Sequence, residues 1–141
     1  MGLKVYLDTS VISGLEAGDD RHIQEATKIF MKIIKRSELD PFISGLTLRE
    51  IGQTKNPDKR RKLEAHVEAY GLEILEAGMD ALKIADELIR RGIIPKKYEA
   101  DALHIGMAVA GRIPVLVSWN FDHIVKHKTR EAVALIASEM G

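Results

Sequence analysis

Four short apolar runs, each separated from the next by a stretch of helical period, leave this chain few ways to fold. The runs are Leu3 to Leu7, Asp40 to Ser44, Leu72 to Leu75 and Pro114 to Ser118. Between the first two, Asp19 or Asp20 suits a helix cap, and Ile23, Ala26, Ile29, Phe30, Ile33 and Ile34 form the expected apolar stripe. After Ser44 a helix opens near Thr47. Asn56-Pro57 then starts another helix, with Asn as cap and Pro in the first turn, carrying Leu63, Val67 and Tyr70 and closed by Gly71. Asp80 is the expected cap of the next helix, whose stripe is Ala81, Leu82, Ala85, Leu88 and Ile89. Gly92 and Pro95 end it. Helices over 98–110 and 129–140 complete the pattern. Such alternation predicts an α/β fold, a doubly wound parallel sheet with helices on both faces.

The 141 residues suit a single domain, taken as residues 1–141, with no repeat or linker. With 21 Lys and Arg against 21 Asp and Glu, the whole molecule has no field to draw in nucleic acid, so such a partner needs local basic patches. The absence of cysteine excludes disulfides, thiolate zinc sites and a cysteine nucleophile. No apolar run has membrane-spanning length, and Met1 leads straight into a strand, so a cytoplasmic protein with no membrane contact is expected.

Acidic and amide residues recur beside the strand ends. Asp8 follows the first strand and precedes Thr9-Ser10. Glu50 comes six residues after Ser44, Asp101 opens its helix, and Asn120-Phe121-Asp122 follows the fourth strand. In open parallel sheets ligands bind outside the carboxyl ends of the strands, where strand order reverses. Carboxylates gathered there repel one another unless a cation compensates, and oxygen donors suit a hard divalent ion such as Mg2+ or Mn2+. A metal-dependent phosphodiesterase is the function this pattern favours.

At this point four segments resemble the PIN domain family in its expected order. They are Val5-Tyr6-Leu7-Asp8-Thr9-Ser10-Val11-Ile12, Thr47-Leu48-Arg49-Glu50-Ile51, Ala100-Asp101-Ala102-Leu103-His104-Ile105-Gly106-Met107-Ala108 and Leu116-Val117-Ser118-Trp119-Asn120-Phe121-Asp122-His123-Ile124. Each is weakly specific alone, and the ordered set is far harder to reach by chance. The resemblance implies a three-layer sheet of PIN type, a Mg2+- or Mn2+-dependent endoribonuclease, and the role of a VapC-like toxin restrained by an antitoxin. In it Asp8, Glu50 and Asp101 match the acidic core, Asn120 matches a fourth position that carries Asp or Asn, and Asp122 supplements it. The expected metal ligands are Asp8, Glu50, Asp101 and Asp122. Two departures stand out: the chain stops at Gly141, where the family's last edge strand is expected, and Asn120 brings no charge.

A structural reading stands beside each functional one. Asp8 suits a turn in which its carboxylate bonds the following amides. Glu50 suits a capping box with Thr47. Asp101 is an acceptable first-turn acid, and Asp122 a solvated helix start. His123 and His127 share a helical face but lack the ligands of a zinc site. His104 is expected as a satisfied residue at the edge of the core and Trp119 as a packing residue. Phe30, Ile34 and Leu39 are candidates for a homodimer or antitoxin groove, which core burial explains equally well. Lys55, Lys59, Arg60, Arg61 and Lys62 form a basic run that could hold an RNA backbone, although most such runs are solvated helix faces. A catalytically silent RNA-binding or assembly domain of the same fold is the alternative to an enzyme.

Overall fold

The computed structural model describes residues 2–76 and 78–120. Four parallel strands, β1 (Lys4–Leu7), β2 (Asp40–Ser44), β3 (Glu73–Leu75) and β4 (Val115–Val117), form one sheet in the order β3-β2-β1-β4. All four coincide with the apolar runs. Helices α1 (Thr9–Gly14) and α2 (Arg21–Arg36) link β1 to β2. Helices α3 (Gly45–Gly52) and α4 (Pro57–Ala69) link β2 to β3. The return to β4 runs through α5 (Met79–Arg90), a 3-10 turn at Lys96–Tyr98 and α6 (Glu99–Ala110).

The alternation of side chains along β1 sorts the layers. Val5 and Leu7 point to one face, where they pack with Val11, Ile12 and Leu15 of the α1 region, Met31 and Ile34 of α2, and Leu63 of α4. Tyr6 points to the other, against Ala81 of α5 and Met107 and Ala108 of α6. The layers are those of the expected doubly wound sheet. Because parallel crossovers are right-handed, reversing direction after β3 moves the connecting helices to the opposite face. Strand order therefore switches between β1 and β4. Full burial of side chains such as Leu7, Ile12 and Ile43 stabilises the face shared with α1, α2 and α4 by roughly 1.5–3 kcal/mol apiece.

Several local expectations hold in detail. Asp20 caps α2 by accepting from the Ile23 amide at 3.2 Å, and the Asn56 side chain accepts from the amides of Asp58 and Lys59. Gly71 (φ 59°) and Gly92 (φ 71°) lie in the left-handed region that glycine adopts without a Cβ clash.

Others are corrected. The expected stripe of α2 is displaced: Thr27, Met31 and Ile34 are buried, while Ile29 and Ile33 are 59% and 52% exposed. Ile34 is therefore a core residue, not part of a groove. Helix α3 opens at Gly45 with Ser44 as cap, two residues earlier than expected, so the residue at its third position is Thr47. Gly78 caps α5, and Asp80 sits in its first turn, where the dipole still favours it. Helix α1 was not legible at all. The expected helix over 129–140, together with Asp122, His123 and His127, lies outside the described residues.

Candidate active site at the switch point

Pairing of Leu7 with Val117 brings Asp8 beside Ser118, and the pairing of Tyr6 with Phe42, carried two residues on, brings it opposite Ser44. Asp8 is thus set at the carboxyl edge where strand order reverses. It is 3% exposed, and its carboxylate does not cap α1. Instead Ser10 Oγ donates to Oδ1 and Ser118 Oγ to Oδ2, each at 2.5 Å. These hydroxyls supply what a buried carboxylate requires. The turn reading, with the carboxylate bonded to following amides, is therefore not the observed arrangement.

From Ser118 the network continues across the cleft. Ser118 Oγ accepts from the Asn120 amide at 2.8 Å, and Asn120 Nδ2 donates to Asp101 Oδ2 at 2.6 Å. Asp101 stands in the first turn of α6. Asp8, Asp101 and Asn120 are joined through one serine.

Glu50 belongs to a second, adjoining network. The capping box of α3 is made by Ser44 and Thr47, with the Ser44 amide donating to Thr47 Oγ1 at 3.4 Å. This overturns the capping role considered for Glu50 and leaves its carboxylate for the cleft. Glu50 Oε1 accepts from Thr9 Oγ1 at 2.5 Å and meets His104 Nε2 at 2.6 Å. The other ring nitrogen, Nδ1, is 2.7 Å from the Tyr6 hydroxyl, which also bonds Ser44 Oγ at 2.8 Å. His104 is buried and satisfied, as its place beside the apolar face of α6 led one to expect. Among the described residues no buried side-chain nitrogen or oxygen lacks a partner.

Burial pushes the Glu50 carboxyl up, but the hydrogen bonds from His104 and Thr9, with the charge of His104, outweigh it and hold it below the usual glutamate range. Burial pushes the Tyr6 hydroxyl up to about 12, reinforced by the negative charges of Asp8 and Glu50 and opposed by hydrogen bonds to Ser44 and Thr47. Tyr6 is therefore a protonated phenol at neutral pH.

In kind, these donors fit a hard divalent cation: three carboxylates and an amide, with no sulfur. In arrangement, Asp8 and Asp101 share one hydrogen-bonded network and Glu50 sits in another, and among the described residues no three His, Asp or Glu residues form a group that could hold a metal ion. Asp122 lies outside the described residues. Thr9, Ser10 and Ser118, which bond the acids, and Ser44, which bonds Tyr6, escaped the reading for ligands. Their signal was position, since each adjoins a strand end.

Two features of the rim also follow. Trp119 packs against the core and its Nε1 donates to Thr27 Oγ1 at 2.9 Å, in keeping with the expected packing role. In the basic run, Arg60 bonds the Thr54 carbonyl at 3.1 Å and Arg61 pairs with Asp58, so two of its cations are engaged within their own segment.

A parallel sheet with helices on both faces and acids at its switch point defines an α/β protein with a doubly wound sheet and an acidic cleft at its carboxyl edge. The PIN domain family model matches residues 5–129, and the chain belongs to the PIN domain family. PIN domains are generally nucleases and generally use divalent metal ions. The solved structure of VapBC2 from Rickettsia felis bound to a DNA fragment from their promoter is similar to it, with a TM-score of 0.54 and 18% identity over 84% of this chain and 100% of that one. At that identity the likeness is one of fold. None of the curated proteins matches the chain. No helix among the described residues is long and apolar enough to cross a membrane.

Proposed function

We propose that this protein is a Mg2+- or Mn2+-dependent endoribonuclease, the toxin of a toxin-antitoxin pair. The observation that carries the reading is the chain Asp8–Ser118–Asn120–Asp101, which gathers two acids and an amide at the switch point of a PIN fold. Asp8 and Asp101 would hold the cation, with Asp122 as a further ligand. When bound, the cation supplies a water of lowered pKa and neutralises charge on the phosphate. Glu50, kept ionised by His104 and Thr9, would orient that water. Lys55, Lys59 and Lys62 would hold the RNA backbone, with Arg60 and Arg61 joining once their local partners are exchanged. An antitoxin partner, a homodimer and a cytoplasmic location complete the proposal, motivated by the VapBC complex among the structural relatives.

The test is cleavage of single-stranded RNA with Mg2+ or Mn2+ by the purified protein and by Asp8→Asn. Cleavage by the wild type alone is expected. Equal cleavage by both would exclude this site as its source. The amide bonded to Asp101 favours a second reading, a catalytically silent RNA-binding domain, and RNA retention without cleavage by the wild type would establish that instead.

A further inference from the structure

We propose that His104 is a positioning residue whose Nε2–H, fixed by the Tyr6 hydroxyl on the far side of the ring, ties back one oxygen of Glu50 and presents the other to the cleft. Its catalytic meaning rests on the nuclease reading, while the positioning itself does not.

The hydrogen-bond inventory dictates the direction of the relay. An ionised carboxylate only accepts, so the contact at 2.6 Å between His104 and Glu50 requires a proton on Nε2. Nε2–H faces Glu50 whether or not the ring also carries the charge that lowers the Glu50 carboxyl; when the ring is neutral, Nδ1 is an acceptor and a donor must face it. Tyr6 is that donor at 2.7 Å, and Ser44 in turn donates to the Tyr6 oxygen at 2.8 Å. Every member is anchored on a different rigid element: Tyr6 on β1, Ser44 at the end of β2, Glu50 on α3 and His104 on α6. The His104 side chain is 3% exposed and that of Glu50 27%, so the relay runs from the core to the cleft.

The placement relative to the acids is specific. Asp8 follows Tyr6 by two residues, just past the end of β1, and His104 lies three residues after Asp101 on the same face of α6. Thr9, adjacent to Asp8, also bonds Glu50 Oε1. Both anchors therefore hold Oε1, and Oε2 makes no hydrogen bond among the described residues. A satisfied core histidine needs only some partner, whereas this one spends its outward nitrogen on the site's own carboxylate. Partners that orient a functional group in this manner carry roughly 10–100-fold in activity.

The experiment has two arms, both on the full chain. In the first, nitrogen-15 NMR of the metal-free protein reads the protonation of each His104 nitrogen. A proton on Nε2 in the wild type, shared between the two nitrogens in Tyr6→Phe, is expected, and an unprotonated Nε2 in the wild type would overturn the proposal. In the second, kcat and KM for RNA cleavage are compared for His104→Leu, His104→Gln and Tyr6→Phe, with thermal melts to verify folding. His104→Leu should lose roughly 10–100-fold in kcat with KM little changed, and His104→Gln, which restores an amide donor toward Glu50, should recover most of it. An unchanged kcat in folded His104→Leu, beside an inactive Asp8→Asn, would also overturn it. A wild type that cleaves no RNA while its ring keeps the Nε2 proton would overturn the nuclease reading and leave Glu50 positioned as described.

Discussion

The Asn120 side chain donates to Asp101 at 2.6 Å, so an uncharged amide hydrogen-bonds an acid that a second carboxylate in its place would repel. Asn120→Asp replaces this hydrogen bond by like charges. Without a cation the variant should lose roughly 1.5–3 kcal/mol, the range for a hydrogen bond to a charged group, and melt several degrees lower. Saturating Mn2+ should raise its melting temperature by more than that of the wild type, because the added carboxylate creates a stronger cation site. Melting curves with and without Mn2+ check both halves. An equal response to Mn2+ in the two proteins would show that position 120 does not face the cation.

Glu50 ties stability to acid pH. Its folded pKa lies below its unfolded one, so its contribution is present above the ordinary glutamate range and is lost as pH falls through the depressed folded value. Glu50→Gln removes that titration. Its stability, measured by denaturant unfolding across acid pH, should fall less steeply than that of the wild type in the window below the ordinary glutamate pKa. Parallel curves would mean that the bonds to Thr9 and His104 do not persist in solution.

Tyr6 gives the opposite limb. Its unfolded value is 10.0 and its folded value about 12, so above pH 10 the unfolded chain gains by ionising and stability declines until the folded hydroxyl also titrates. Alkaline spectrophotometric titration should show one of the three tyrosines ionising only on unfolding or near pH 12. Tyr6→Phe should abolish the late step and cost about 1 kcal/mol at neutral pH for the lost buried hydrogen bond.

The strands, the Asn56-Pro57 start and the acids at strand ends were legible because each rests on a short-range rule: burial on both faces, a cap, a dipole. What escaped depends on the third dimension. Helix α2 offers apolar residues around much of its circumference, and only the position of the sheet decides that Thr27 and Met31 turn inward while Ile29 and Ile33 face out. With six residues, α1 is too short to display a period. Thr47-x-x-Glu50 satisfied the capping-box pattern, but Ser44 took the cap, a choice fixed by where β2 ends and not by local sequence. The hydroxyls that bond Asp8 and Glu50 come from Thr9 and Ser10 near one end of the described residues and from Ser118 near the other, and Asp8 to Ser118 alone spans 110 residues of sequence. No local pattern could have paired them.

The same dependence on the third dimension makes Gly106 a sharp probe of the α5 and α6 layer behind the site. A Cβ there would stand 2.3 Å from the Ala81 carbonyl oxygen, backbone that cannot swing aside, so the two helices touch through the missing side chain. Gly106→Ala should separate them and cost about 1–3 kcal/mol of overpacking, more than offsetting the helix propensity gained. Asp101 and His104 ride on α6, so the displaced helix should also weaken RNA cleavage even though position 106 touches no site residue. Gly18→Ala, whose Cβ meets nothing within 4 Å, is the control and should melt close to the wild type. Denaturant unfolding of the two variants decides it: equal stabilities would mean that α5 and α6 are not in close contact at Gly106.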